Sequence, residues 1–270
     1  MKKQWKRLAA LSSAVVMAAG MLLYFPTDTL QNISWGITAS AEETGGGTES
    51  GTQTWEESDG LIWTLDADGT MTISGSGAMK DYSYDSPACD NSNIKKVVIE
   101  EDVTSIGNGA FSGSSSLTGI TIPSSVTSIG ESAFESCTDL TSITIPKSVT
   151  SIGSNVFGGC TALTEVLLEG GSKLTSENFG EVANKVVTRW NEDNLTWTLT
   201  ADGTLTISGT GAMKEYGAGS SPAAQKKDSV KKVVIEDGIT NIVDFAFFDC
   251  TVLESIEIPG SVASIGNFAF

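Results

Sequence analysis

No histidine occurs anywhere in the 270 residues. That absence removes Ser-His-Asp and Cys-His nucleophile pairs, and every zinc site built on imidazole. Basic residues are also scarce: 16 Lys and Arg stand against 33 Asp and Glu, a net charge of −17. Such a chain repels phosphate backbones, which argues against nucleic acid as a partner. The acidity reads most simply as a solubilising surface. No phosphate-cradling glycine loop is present either, because the Gly/Ser stretch Ser74–Gly77 follows a strand pattern but opens no helix.

What the chain does have is a 23-residue beat. LTGITIPSSVTSIGESAFESCTD starts at Leu117 and LTSITIPKSVTSIGSNVFGGCTA at Leu140, and the same phase lands on Ile94 and Leu163. Apolar residues spaced L-x-x-I-x-I at a fixed period of 20 to 29 residues predict a leucine-rich-repeat solenoid. Ile120 and Ile122 point inward from a short strand, Pro123 ends it, and Val126 and Ile129 turn the chain back over the core. Gly130 is expected to permit the next bend, and Ala133-Phe134 to plug the far side. Successive strands stack about 4.8 Å apart as a parallel ladder.

The N-terminus reads as an export signal. Lys2, Lys3, Lys6 and Arg7 form a basic region, Leu8–Phe25 an apolar run, and Ala39-Ser40-Ala41 a cleavage site before Glu42. An uncleaved anchor is the alternative, since the apolar run is nearly long enough to span a bilayer. Cleavage after residue 41 leaves no membrane insertion. Residues 42–54 are low in apolar side chains and read as a Gly/Thr/Ser/Glu-rich linker.

From Leu61, LIWTLDADGTMTISGSGAMKDY alternates apolar and polar residues around Asp68-Gly69, a β-hairpin signature. LTWTLTADGTLTISGTGAMKEY repeats it from Leu195. Each hairpin leads into coils, so the chain reads as tandem modules. Module 1 covers 55–184, with coils from Ile94, Leu117, Leu140 and Leu163. Module 2 covers 185–270, with coils from Val230 and Leu253. The coil from Leu163 keeps Val166 and Leu168 in phase but places Leu174, Phe179 and Val182 one residue early, as a terminal capping coil would. The second array stops at Phe270, the core phenylalanine slot, and reads as a fragment of a longer array. The predicted fold class is a β-rich repeat solenoid with a parallel β-ladder, each array preceded by a hairpin cap.

The unit LTSITIPKSVTSIGSNVFGGCTA resembles the repeat of the BspA-like bacterial leucine-rich-repeat surface proteins, L-x-x-I-x-I-P-x-x-V-x-x-I-G-x-x-A-F-x-x-C. WTLDADGTMTISGSGAM is similar to the segment that introduces such arrays in secreted proteins of Gram-positive anaerobes. The resemblance covers the chain from Leu61 onwards, departing at Val156 and in the coil from Leu163. It implies a secreted or cell-surface protein of a Gram-positive bacterium. The function it implies is non-enzymatic adhesion to a host or bacterial surface protein or glycan. An architectural spacer, or an accessory region of a larger extracellular enzyme or wall-bound complex, is the alternative.

Candidate chemistry yields to structural readings. Cys137, Cys160 and Cys250 share one slot with Ser114 and Val182, so a small packing position is expected rather than a nucleophile. A Cys137–Cys160 bridge between adjacent coils is the alternative. Cys89 aligns with Ala224. DADGT at Asp66–Thr70 lacks the further oxygen ligands of a calcium loop and reads as a turn. Glu100, Glu101 and Asp102, and again Glu236-Asp237, read as solvated bends rather than a catalytic carboxylate pair. Trp63 and Trp197 are expected to pack the hairpins onto the first coils. Tyr82, Tyr84 and Tyr216 are either sugar-stacking rings or packed against the flank. No catalytic residue, cofactor or metal ligand is nominated. The candidate binding face is the outward ladder, represented by Gly119, Thr121, Ser142, Thr144 and Glu165, beside Lys96, Val98 and Leu167. It is small and hydroxyl-rich, without aromatic or Arg anchors.

Overall fold

Two isoleucines one residue apart fall on the same side of a strand, so each L-x-x-I-x-I-P stretch turns a pair towards the core side and the alternate residues outward. The computed structural model describes residues 51–270, together with the backbone of Met17–Ala18, paired antiparallel with Met21–Leu22. Residues 1–48 and 49–270 are separate units. The export signal read at residues 1–41 and most of the 42–54 linker otherwise lie outside the described residues.

Every coil forms its strand: Lys96–Ile99, Gly119–Thr121, Ser142–Ile145, Glu165–Glu169, Lys232–Ile235 and Ser255–Glu257. They pair in parallel, with Lys96 opposite Gly119 and Ser142 opposite Glu165. Both partners lie one 23-residue period on. A second, shorter parallel ladder runs through Val103–Ile106, Ser128–Ile129 and Ser151–Ile152, with Ser105, Ser128 and Ser151 in register. Between the two ladders the phenylalanines stack. Phe111, Phe134, Phe157 and Phe179 have ring centroids 5.4, 5.7 and 6.3 Å apart and interplanar angles of 6°, 8° and 15°. Trp63 continues the stack 5.4 Å from Phe111, and Trp197 does so 5.9 Å from Phe247. The indoles therefore pack the hairpins onto the first coils, as expected.

Each hairpin carries a third strand. Gln53–Glu56 pairs antiparallel with Ile62–Leu65, placing Trp55 opposite Trp63. Val186–Glu192 pairs with Leu195–Thr200, placing Trp190 opposite Trp197. The first of these strands begins inside the segment read as linker. Its one apolar residue, Trp55, leaves no periodicity to detect, and the partner strand supplies the pairing. The hairpins join the ladder directly, Thr70 lying opposite Lys96 and Thr204 opposite Lys232.

The coil from Leu163 was expected to end its array, but its strand is paired on both sides, Val166 lying opposite Val186. One seven-stranded sheet thus runs from Ser142–Ile145 to Ser255–Glu257 without interruption, while a five-stranded sheet ends at Gly119–Thr121. The irregularity of this coil falls on the second ladder instead. No short strand forms at the equivalent residues 173–174, and a 3₁₀ segment, Ser176–Lys185, replaces the phenylalanine turn that follows; Leu174 ahead of it and Phe179 and Val182 within it are buried as the sequence phase requires.

The glycine of the S-I-G motif has a different cause from the expected bend. Gly130 is not in the left-handed region. A Cβ on it would lie 2.5 Å from the Asn108 nitrogen on the preceding coil. Close approach of successive coils, rather than backbone conformation, demands glycine. The left-handed slot lies two residues later, at Gly109, Ser132, Asn155, Phe245 and Phe268, with φ between 51° and 59°.

The cysteine slot is a hydrogen-bonding position. The Cys137 thiol donates to the Phe111 carbonyl at 3.2 Å and Cys160 to that of Phe134 at 3.0 Å, while Ser114 Oγ donates to Ala88 at 2.8 Å. All four cysteines are free, so the Cys137–Cys160 bridge does not form. Burial pushes the Cys137 thiol far above its ordinary range and those of Cys160 and Cys250 up to about 11.

Phe134→Ala should cost about 3–5 kcal/mol in chemical denaturation, through the cavity it opens in the aromatic stack. Gly130→Ala should also destabilise, since the clash is with backbone. Cys137→Ser should be nearly neutral, whereas Cys137→Val removes one of the two donors to the Phe111 carbonyl, which keeps the Ser114 N–H, and should cost about 0.5–1.5 kcal/mol. Native-state alkylation of Cys250 should rise about tenfold per pH unit and level off only near its raised pKa of about 11. The raised folded-state pKa stabilises the fold below the ordinary thiol value and is lost as pH climbs from about 9 to about 11.

Candidate functional site

Alternation along the strands sends the odd partners of the buried isoleucines to the outside, and the parallel register lines them up in rows. Thr121, Ser142 and Thr144 are exposed, while Gly119, Glu165 and Leu167 are half-buried. Ser142 lies opposite Glu165 and Thr144 opposite Leu167. Gly119 and Thr121 stand on the last strand of the five-stranded sheet, and Ser142, Thr144 and Glu165 on the first two of the seven-stranded one. The five residues share one side of the solenoid, but a break in ladder pairing separates the first two from the rest.

The outward face is larger than the coils alone suggest, because the three-stranded hairpins extend it. Thr54, Thr64, Thr72, Val98 and Thr121 form one row across all strands of the five-stranded sheet. Arg189, Thr198, Thr206, Val234 and Glu257 form the corresponding row after the second hairpin. The hairpin threonines were missed as binding candidates, although the alternation W-T-L and T-I-S in both hairpins already placed them on the solvent side. The few charges are paired across strands: Arg189 with Glu165 at 3.5 Å, and Lys232 with Glu257 at 2.6 Å. Exposed pairs of this kind contribute about 0–1 kcal/mol, so they keep the face neutral more than they hold it together.

Many hydroxyls at the strand entrances are already engaged. Thr118, Thr127 and Thr164 each donate from Oγ1 to a carbonyl on the preceding coil, at 3.0, 3.2 and 3.0 Å. Their abundance therefore reflects ladder construction as well as surface chemistry. The exposed Thr144 and Ser142 lie beyond these bonds, where their polar atoms face solvent.

The remaining candidates settle into structural roles. Asp66 accepts from the Asp68 and Thr70 nitrogens at 3.0 and 2.8 Å, which makes DADGT a turn. Its counterpart in the second hairpin is held by Asp202, which accepts from Thr200 Oγ1 at 2.6 Å; that hydrogen bond lowers its pKa. Glu100, Glu101 and Asp102 are exposed on a bend. Tyr82 and Tyr216 are buried edge-on against Trp63 and Trp197, and burial raises both phenols. Tyr84 alone of the three is open to solvent, at 73 % exposure. Lys226 is spent at the junction of the modules, where its Nζ donates to the Ser172 and Leu174 carbonyls at 2.8 Å each. Trp190 Nε1 adds a bond to Gln225 Oε1 at 3.2 Å. Among the described residues no cluster of acids and thiols could hold a metal ion, and no helix is long and apolar enough to cross a membrane.

No curated protein matches the chain. Among solved structures it is similar to a leucine-rich repeat protein from Eubacterium ventriosum, at 21% identity and a TM-score of 0.39. That match covers 81% of this chain and 63% of the other, so the chain spans less than two thirds of that protein. A leucine rich cell surface protein from Faecalibacterium prausnitzii is 23% identical, over 81% of this chain and 73% of that one, with a TM-score of 0.28. A leucine-rich repeat protein from T. pallidum is 20% identical, over 76% and 83%, with a TM-score of 0.33. The family model for the BspA type leucine rich repeat region matches in six copies, over residues 83–188 and 221–270. The 23-residue period, the paired isoleucines, the phenylalanine stack and these six copies agree, and the chain belongs to the BspA type leucine-rich repeat family.

Proposed function

We propose that this protein is an exported, surface-displayed binding module without catalytic activity, which acts in adhesion by presenting its outward ladder to an extracellular protein or glycan. The observation that carries this reading is the recurrence of one outward face, built twice from the same hairpin and coil residues. A neutral, hydroxyl-rich face without aromatic anchors, its one arginine, Arg189, paired with Glu165, suits weak contacts that gain strength by repetition. Export rests on the N-terminal pattern of residues 1–41, and a Gram-positive source on the resemblance of the hairpin segment. Thr121, Ser142, Thr144 and Glu165, with the hairpin rows beside them, form the contact surface.

A second reading is an architectural spacer within a larger extracellular assembly. It is favoured by the unbroken seven-stranded sheet across the module junction, braced by Lys226 and Gln225. A rigid joint of that kind serves distance as well as binding.

The two readings separate in a binding screen of residues 42–270 against immobilised matrix proteins and glycans. Adhesion expects saturable, multivalency-dependent binding that falls about tenfold when Thr121 and Thr144 are both replaced by Lys, with folding unchanged by circular dichroism. Folded protein that binds nothing in the panel sinks the adhesive reading and leaves the spacer.

A further inference from the structure

Each coil bonds to the next through two sets of backbone groups. Along the second ladder the following coil donates back: Thr127 N to Thr104 O at 2.9 Å and Gly130 N to Ile106 O at 2.9 Å, then Thr150 N to Thr127 O at 2.9 Å and Gly153 N to Ile129 O at 2.8 Å. Around the turn each coil donates forward: Ser132 N to Ser154 O, Phe134 N to Val156 O and Ser136 N to Gly158 O, at 3.0, 3.0 and 2.7 Å. At the third coil the series stops. Among the described residues nothing donates to Thr150 O or Ile152 O, and the backbone nitrogens of Asn155, Phe157 and Gly159 find no acceptor. The 3₁₀ segment that replaces the next phenylalanine turn leaves a cavity of about 290 Å³ between itself and residues 152–158. Val156, Phe157, Phe179 and Val182 line it, and Glu181 is the one charged residue at its wall.

We propose that this notch is a strand-addition site for an extended peptide segment of a partner protein. The free Thr150 and Ile152 carbonyls keep the spacing that the ladder offers to its next strand, so they fit an extended main chain running parallel to Ser151–Ile152, and the free amides lie on the turn that follows. Unpaired strand edges are templates for such pairing. The cavity, walled by Val156, Phe157, Phe179 and Val182, accepts one aliphatic side chain from the added strand, while the core slot that follows Ile106, Ile129 and Ile152 is filled by Leu174. With Glu181 at the wall and a chain charge of −17, the segment that fits is neutral or basic rather than acidic. The site lies on the ladder opposite the outward face, so it is independent of the adhesive role.

The probe is the synthetic peptide KSVTSIGSNVFGG, which copies residues 147–159 and carries one lysine and no acid. Added to the folded protein, it should bind saturably in fluorescence anisotropy and slow hydrogen exchange at the Asn155, Phe157 and Gly159 amides. A peptide with aspartate in place of its isoleucine should bind about tenfold more weakly. Val182→Phe, which fills the cavity, should weaken binding by a similar factor. Glu181→Arg at the exposed wall should weaken the basic peptide several-fold, which keeps the test valid if the core variant fails to fold. No saturable binding up to millimolar peptide, protection confined to other segments, or an affinity unchanged by the peptide substitution and by each folded variant overturns the proposal.

Discussion

Everything in this solenoid depends on backbone hydrogen bonds between coils one period apart. A coil of 23 residues has too little apolar surface to fold alone, and its main-chain groups are satisfied only by the neighbouring coil. The ladder pairs Ile143 with Val166 and Val166 with Val186 in one plane. The turn bonds, such as Phe134 to Val156, fix the opposite side of the same coil. Register is therefore set twice in each repeat, and the phenylalanines between the two sets must stack at a separation close to that of the strands.

This constraint explains residues whose identity looks incidental. Glycine follows Ile106, Ile129 and Ile152 because a side chain there would strike the backbone of the coil before it. Serine and cysteine share a slot because each donates to the equivalent carbonyl of the coil or loop before it, so the thiol serves there as a hydrogen-bond donor. Threonine recurs at strand entrances because its hydroxyl reaches back to the previous coil. Chemistry that could serve a site is largely consumed by the stack, and surface recognition is left to the strand residues that alternate outward.

The hairpins show how the stack is started and resumed. A hairpin strand presents to the first coil the same edge that a preceding coil would, with Trp63 or Trp197 in place of the phenylalanine. At the module junction, Val186–Glu192 joins the fourth coil to the second hairpin, so the outer ladder passes through. The inner ladder has no equivalent link and stops at Ser151–Ile152. One residue is missing from the fourth coil between Leu168 and Leu174, no short strand forms there, and the 3₁₀ segment that follows leaves backbone groups unpaired beside a cavity.

The sequence by itself determined the repeat, its period, the inward isoleucines, the phenylalanine and tryptophan core and the outward candidates Thr121, Ser142, Thr144 and Glu165. Each follows from side-chain period and polarity, which are local properties of the chain. The third hairpin strand was illegible because Gln53–Glu56 carries one apolar residue and gains its conformation from a partner strand. The reason for Gly130, the donor role of Cys137 and Cys160, the gap in pairing between Thr121 and Ser142, and the continuity of the outer sheet were likewise decided by tertiary structure. All four are relations between residues about one period or more apart. Hydrogen-bond partners and close approaches at that distance exist only once the coils have stacked.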